Sequence, residues 1–486
     1  MRQRLQDVVA VPIRATSVFG LALAVALLAG FALRVWILAG PLGTLESDEA
    51  VNGLIARRAL HGDLTPIYWL SNYGGTQEAL FTALVFAVVG SSTLALKLVP
   101  LALFVAGIWL TWLIGKRLIG SRAAALAAAL LWIWPPYFVW WTQKARAYYA
   151  FGLLCELLVL WLALRLRDRD SRRDALGLGL AAGLGWWATP EVVVIAVPAV
   201  AWLVFRRPDV LRRAWLGAAA FLVGAAPWFL WNARHCWLAL HLGAIRGEHT
   251  TYLGRLADLF RIVLPTWLGL RVPFSLDWLV GKPLGIALLA ACAVAVAAAL
   301  VRRPPQLELL LIITLAFPFL YASSTFAYYV REPRYLVLFA PIPALLLAHL
   351  AAKRDFTAVA SIAVALALSI AGLATMQHQD RFRPHRGGRA VPADISPLIR
   401  LLDREHVTRL YANYWLAYRI SFETQERIVA TSYNFVRDLK ADRLVKQSKN
   451  PAYVFMSTQP RASLEALGYR PVESDGYLLY VRAPSS

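Results

Sequence analysis

The chain has 486 residues, of which 59% are hydrophobic and 16% charged, with 19 Trp and a mean hydropathy of +0.54. A soluble chain carries roughly a quarter charged residues, so a soluble multidomain enzyme is excluded, as are disordered, fibrous and disulfide-framework classes. The net charge of +21 would point to nucleic acid on a soluble domain. In a membrane protein it first asks where the cations sit, because cytoplasmic turns collect Lys and Arg.

A membrane span needs about 20 apolar residues. The N-terminus is basic (Arg2, Arg4, Arg14), and the first predicted span covers 16–39. No small-residue cleavage site follows it, so it reads as an anchor. The polar segment 41–92 comes next. Its apolar stretch, 79–90, is too short to cross and reads as an interfacial or re-entrant helix. Counting it as a span would put Lys116, Arg117 and Arg122 outside. Further spans are predicted at 93–114, 123–140, 148–166, 175–188, 192–205, 214–231, 283–301, 307–323, 335–352 and 356–376.

The internal turns then carry Arg165, Arg167, Arg169, Arg172 and Arg173; Arg206, Arg207, Arg212 and Arg213; Arg302 and Arg303; Lys353 and Arg354. Every one is basic. The pattern predicts a multi-pass protein of the plasma (inner) membrane with about eleven spans. Its N-terminus would be cytoplasmic and its tail, 377–486, extracytoplasmic.

The expected architecture is an all-α transmembrane domain, 1–376, with outer loops at 40–92 and 232–282. The tail opens with glycine and proline punctuation, and then alternates. Helices are predicted at 395–404, 415–422 and 463–468, and strands at 409–412, 427–431, 452–456 and 477–482. That composition suits a small α/β domain, without a glycine-rich phosphate loop or nucleophile elbow. Cys155 and Cys292 fall in spans and Cys236 outside, so no disulfide is expected. Neither metal-type His/Cys spacing nor an internal repeat stands out.

Acidic residues are scarce, so those without a neighbouring Arg are informative. The first outer loop holds Glu46-Ser-Asp48-Glu49 at the head of a helical run, and Gly-Gly-Thr-Gln-Glu78 before the short apolar helix. Asp48 and Glu49 would serve as helix caps, a role compatible with catalysis. Two basic clusters share the predicted outer face: Lys144 and Arg146 with Tyr148, and Arg331 and Arg334 with Tyr335. They break the positive-inside pattern. Arg beside Tyr at a membrane boundary suits a lipid phosphate; the blander reading is an aromatic belt with snorkelling cations. Loop 232–282, with His235, His241, Arg246, Glu248 and His249, reads as solvated. Glu156, inside a span, reads as a neutral carboxyl bonded to a neighbouring helix. Glu191 sits at an outer turn and asks for no special role.

This layout of Asp48-Glu49, Glu78, Gln143-Lys144-Ala-Arg146-Ala-Tyr148 and Arg334-Tyr335, with an outer C-terminal domain, resembles the polytopic glycosyltransferases of the GT-C fold. More narrowly it is similar to the branch of protein O-mannosyltransferases and lipid A aminoarabinose transferases. One departure is Glu78-Ala79-Leu80 where many members have Glu-Pro-Pro. The resemblance implies transfer of a sugar from a polyprenyl-phosphate donor to a hydroxyl of a lipid, glycan or protein acceptor, with inversion. Asp48 would be the base, and Glu49 and Glu78 would orient acceptor or sugar. Lys144, Arg146, Arg331 and Arg334 would hold the phosphate, with Tyr148 and Tyr335 adding hydrogen bonds and lipid contact. No cofactor is expected, although Asp48, Glu49 and Glu78 could ligate Mg²⁺ or Mn²⁺ through oxygen. Nucleic acid is not an expected partner. The rival reading, a transporter or flippase, calls for ionisable residues and broken helices near the midplane and for two related halves. A scaffold displaying the tail would leave Asp48 and Glu78 without purpose.

Overall fold

The structure, a computed structural model, describes residues 17–240, 251–302, 304–324, 327, 329–379, 392–457 and 459–482. Arg2, Arg4, Arg14, His241, Arg246, Glu248, His249 and Arg303 lie outside these residues.

The first long helix, α1 (Val18–Ala39), is started by Ser17, whose hydroxyl accepts the Gly20 N–H at 3.0 Å. Then come α2 (Ser47–Leu60) and α3 (Gln77–Val89). The apolar α3 has 13 residues, short of a span, as its composition predicts. The helical array continues with α4 (Thr93–Leu118), α5 (Ser121–Ile133), α6 (Pro136–Trp141), α7 (Tyr149–Asp168) and α8 (Arg172–Ala188). It is completed by α9 (Val193–Arg206), α10 (Ala214–Arg234), α11 (Lys282–Arg302), α12 (Glu308–Ser323), α13 (Pro341–Ala351) and α14 (Asp355–Gln377).

All eleven predicted spans are helical, yet only seven helical stretches among the described residues are long and apolar enough to cross a membrane. The other four correspond to α5, α8, α9 and α13, of 13, 17, 14 and 11 residues. Proline accounts for two of these. Pro135-Pro136 divides 123–140 into α5 and α6, and α13 starts late at Pro341, since proline fits a helix's first turn best and an interior one removes a hydrogen bond. Lipid-type exposure is evident: α11 buries only Gly285, and Leu21, Leu27, Leu28 and Phe31 of α1 are all exposed. The protein is a multi-pass membrane protein.

Between α8 and α10 the backbones touch. A Cβ on Gly179 would meet the Gly217 carbonyl oxygen at 2.0 Å, and one on Gly183 the Phe221 oxygen at 2.2 Å. Such small-residue seams suit helix packing in lipid, where close van der Waals contact replaces the hydrophobic effect.

The tail forms a five-stranded sheet in the order β2-β1-β3-β5-β4. Its elements are α15 (Ser396–Arg404), β1 (Arg409–Ala412), α16 (Tyr414–Glu423), β2 (Val429–Ser432), α17 (Leu439–Lys446), β3 (Ala452–Phe455), a one-turn helix (Ala462–Glu465), β4 (Tyr469–Ser474) and β5 (Tyr477–Arg482). Strands β1, β2 and β3 are parallel, with Leu410 opposite Ala430 and Ala452; β5 is antiparallel to β3 and β4. The core is Leu398, Leu402, Leu410, Leu416, Ile420, Val454 and Leu479. Two elements were not predicted, β4 and α17. Strand β4 carries Pro471 and charged residues, tolerable because it is an edge.

Candidate active site

Helix α2 positions the acidic motif. Its sequence is half polar, yet residues from Ser47 to Arg57 are almost all buried, because α3 and the C-terminal α16 pack against it. Its start is a capping box: the Glu46 N–H donates to Glu49 Oε2 at 3.2 Å. The capping expectation for Glu49 therefore holds. The predicted cap Asp48 instead has its side chain free of the helix end.

Glu49 is fully buried and saturated. Lys97 Nζ donates to its Oε1 at 2.6 Å, Lys144 Nζ to its Oε2 at 2.7 Å, and the Ala145 N–H to Oε1 at 3.0 Å. Burial opposes its ionisation, but Lys144 and Lys97 outweigh that and hold its carboxyl below the usual range. Glu46 is likewise buried. It pairs with Lys144 Nζ at 2.9 Å and with Arg146 Nη2 at 2.6 Å. Arg146 continues to Glu332 at 3.5 Å and to Asp48 Oδ2 at 4.0 Å. Burial works against the Arg146 charge, and Glu46, Glu332 and Asp48 more than restore it. Glu332 in turn accepts from Tyr329 at 3.3 Å and from Tyr137 at 3.5 Å.

Within this network Asp48 differs. Glu46, Glu49 and Glu332 are 2–4% exposed or less, whereas the Asp48 side chain keeps 25% of its surface. Tyr68 donates to its backbone carbonyl at 2.7 Å, and Tyr414, from the C-terminal domain, donates to its Oδ1. The C-terminal Arg437 stands alongside, donating to the Trp69 carbonyl at 3.1 Å. One accessible carboxylate is thus held between a buried cation and a phenol.

The other predicted residues divide. Lys144 and Arg146 join the Asp48 cluster, already paired with carboxylates. Glu78 sits in the first turn of α3, 1% exposed, and neither of its oxygens has a well-formed hydrogen bond. Burial pushes its carboxyl well above the usual range. Tyr148 is buried, 5.9 Å edge-on from Tyr73 and 4.8 Å from Tyr149. Arg334 lies over Tyr329 at 4.3 Å and Tyr335 at 5.4 Å, and its Nε has no partner. Arg331 is exposed; its carbonyl accepts the Phe274 N–H at 2.9 Å.

Ala147, between Arg146 and Tyr148, holds φ at 62°, an unfavourable conformation for an L-residue that only surrounding packing sustains. As to metal, both Glu49 oxygens are committed to lysines and Glu78 is enclosed. Among the described residues no group of three or more His, Cys, Asp or Glu could hold an ion. Asp48, Glu49 and Glu78, the oxygen ligands that the sequence could offer, are not arranged to share a divalent cation.

Sequence reasoning passed over Lys97, Glu332, Tyr68, Tyr414 and Arg437. Lys97 had a signal, as a lone cation inside an apolar span. Glu332 was masked by the Arg331 and Arg334 that flank it. Tyr414 lies 366 residues from Asp48, and nothing local connects them.

Residues 78–231 match the family of dolichyl-phosphate-mannose-protein mannosyltransferases. No curated protein sequence matches the chain. Among solved structures it is similar to ArnT from Cupriavidus metallidurans in the apo state, at 15% identity and TM-score 0.63, covering 96% of this chain and 98% of that one. The same protein bound to undecaprenyl phosphate aligns at 17% identity with the same score and coverage. The Archaeoglobus fulgidus oligosaccharyltransferase in complex with Zn and sulfate aligns at 12% identity and TM-score 0.49, covering 89% of this chain and 67% of that one. The chain has the GT-C fold. Within this GT-C chain Glu78, Lys144, Arg146 and Tyr148 fall inside the matched stretch, while Asp48, Glu332 and Tyr414 fall outside it. The structural likeness, by contrast, extends over the C-terminal sheet as well as the helical array.

Proposed function

We propose that this protein is an integral-membrane glycosyltransferase that moves a sugar from a polyprenyl-phosphate donor to an acceptor hydroxyl, with inversion. The observation that carries the reading is Asp48, the accessible carboxylate of an otherwise buried ionic cluster. The GT-C fold and the undecaprenyl phosphate bound by the similar ArnT support the lipid-linked donor.

In the proposed step Asp48 takes the proton of the acceptor hydroxyl as its oxygen bonds to the anomeric carbon. The anomeric carbon–oxygen bond to phosphate breaks with its electron pair, and polyprenyl phosphate leaves as an anion. Such a leaving group needs cations and no general acid, whereas the acceptor needs a base. Arg334 and Tyr335 are proposed to hold the phosphate, with Arg331 exposed beside them. Lys144 and Arg146 balance Glu46, Glu49 and Glu332, and Arg146 orients Asp48. Glu49 anchors α2, and Glu78 shapes the buried floor. The end bearing the C-terminal domain would face the extracytoplasmic side of the plasma (inner) membrane.

The test is to incubate purified protein with radiolabelled polyprenyl-phosphate sugars. Transfer or hydrolysis is expected, and Asp48→Asn should abolish it while the melting temperature stays near wild type. Normal turnover by Asp48→Asn would refute the assignment, and counterflow without turnover would favour transport. Because the acids do not fit a divalent cation, turnover is expected to survive EDTA.

A further inference from the structure

Apart from the Asp48 cluster, α7, α9 and α12 enclose a cavity of about 340 Å³. Glu156, Glu191, Tyr73, Tyr335, Tyr321 and Phe317 are among its lining residues. Glu156 was expected to bond a neighbouring helix. It does not: it is fully buried, and neither of its oxygens has a partner. Glu191, expected to be an unremarkable turn residue, also lines the cavity, with its Oε2 buried and unpartnered. A buried carboxyl oxygen left unbonded costs free energy, for Glu156 inside a span as for Glu191 at the adjoining turn, so this pair is not there to stabilise the fold. Acids with unbonded oxygens, lining a cavity with mostly apolar walls, are the make-up of a ligand pocket.

The chemistry narrows the ligand. None of the described residues lining the cavity is Lys or Arg, so it offers a phosphate no cation, while the two carboxyls offer hydrogen bonds to polar groups. Aromatic walls offer faces for the C–H edges of a ring, and the volume is near the lower end for small-molecule sites, which excludes a long glycan. The cavity also adjoins the phosphate-binding candidates. Tyr335 lines it directly next to Arg334, and Tyr73 packs edge-on against Tyr148. We propose that this cavity receives the sugar ring of the lipid-linked donor, with Glu156 and Glu191 accepting hydrogen bonds from its polar substituents while the phosphate stays outside with Arg334. The inference rests on the donor reading above and adds to it where the sugar lies and which residues select it.

The test uses full-length protein in lipid nanodiscs and tryptophan-fluorescence titration. The probes are undecaprenyl phosphate and three undecaprenyl-phosphate sugars, carrying a neutral hexose, an N-acetylhexosamine and an amino pentose. At least one sugar-bearing lipid is expected to bind the wild type about tenfold or more tightly than undecaprenyl phosphate. Glu156→Leu should remove that gain, leave undecaprenyl phosphate affinity unchanged and melt no lower than wild type, because it replaces an unbonded buried carboxyl by an apolar group. Glu191→Gln should reduce the gain, and Glu156→Gln provides a near-isosteric second variant at that position. Equal affinity of the wild type for bare and all sugar-bearing lipids overturns the sugar pocket, as does a gain that survives all three substitutions. Failure of undecaprenyl phosphate to bind any form would instead overturn the donor reading itself.

Discussion

Tyr414 donates its hydroxyl proton to a carboxylate proposed as the catalytic base, which makes it a positioning residue supplied by the tail. A hydrogen bond to a charged partner is worth about 1.5–3 kcal/mol. Tyr414→Phe keeps the ring, which stacks edge-on with Trp415 and Phe435. It should therefore lower kcat by roughly tenfold or more with little change in donor KM or melting temperature. An equal loss in KM and kcat would point to a collapsed site. Asp48 and Arg146 could be singled out in the sequence because each breaks a charge rule. Which of four nearby acids remains accessible could not, since accessibility is set by what packs over each one.

At the scale of elements, the buried ion network welds three of them: α2 through Glu49, α4 through Lys97, and the turn before α7 through Lys144. Removing one member leaves the others buried and uncompensated, at a cost of about 3–5 kcal/mol. Glu49→Gln is accordingly expected to lower the melting temperature far more than Asp48→Asn, and the double variant Glu49→Leu with Lys97→Met to recover part of the loss. The second joint is apolar. A Cβ on Gly53 of α2 would lie 2.4 Å from the Phe422 ring of α16, and Arg57 beside it donates to the Phe422 carbonyl at 2.7 Å. Gly53→Val should push α16 from α2 at a cost of about 1–3 kcal/mol. Limited proteolysis should then release the tail faster, and turnover should fall because Tyr414 moves with α16. Helices and strands with strong periodicity were legible here. The late start of α13 at Pro341 and the edge strand β4 were not.

For the whole molecule, the C-terminal domain sits on the α2 end of the helical array. Besides Tyr414, Arg58 pairs with Asp438, and Lys440 with Asp63. A domain that reads as an appendage by composition contributes to the candidate site. Protonation also couples to global stability. Burial pushes the Glu191 carboxyl up to about 8 from 4.5, partly opposed by Arg334. The folded protein thus keeps a proton that the unfolded chain releases, and this contribution to stability declines as pH rises from about 4.5 to about 8. Wild type is expected to melt at a lower temperature at pH 8 than at pH 6, and Glu191→Gln to narrow that difference. An unchanged difference in the variant would assign the pH dependence to other groups.

The sequence by itself determined that this is a polytopic membrane protein with a small α/β tail, because hydropathy and alternation depend on runs of neighbouring residues. It also marked the acidic motif and the Arg clusters, which stand out against a charge-poor background. Only the tertiary structure decided that Lys97 and Lys144 neutralise Glu49, that Tyr414 reaches Asp48, and that Glu156 and Glu191 line one cavity. Those outcomes depend on which distant segments exclude water from one another, and no window along the chain contains that information.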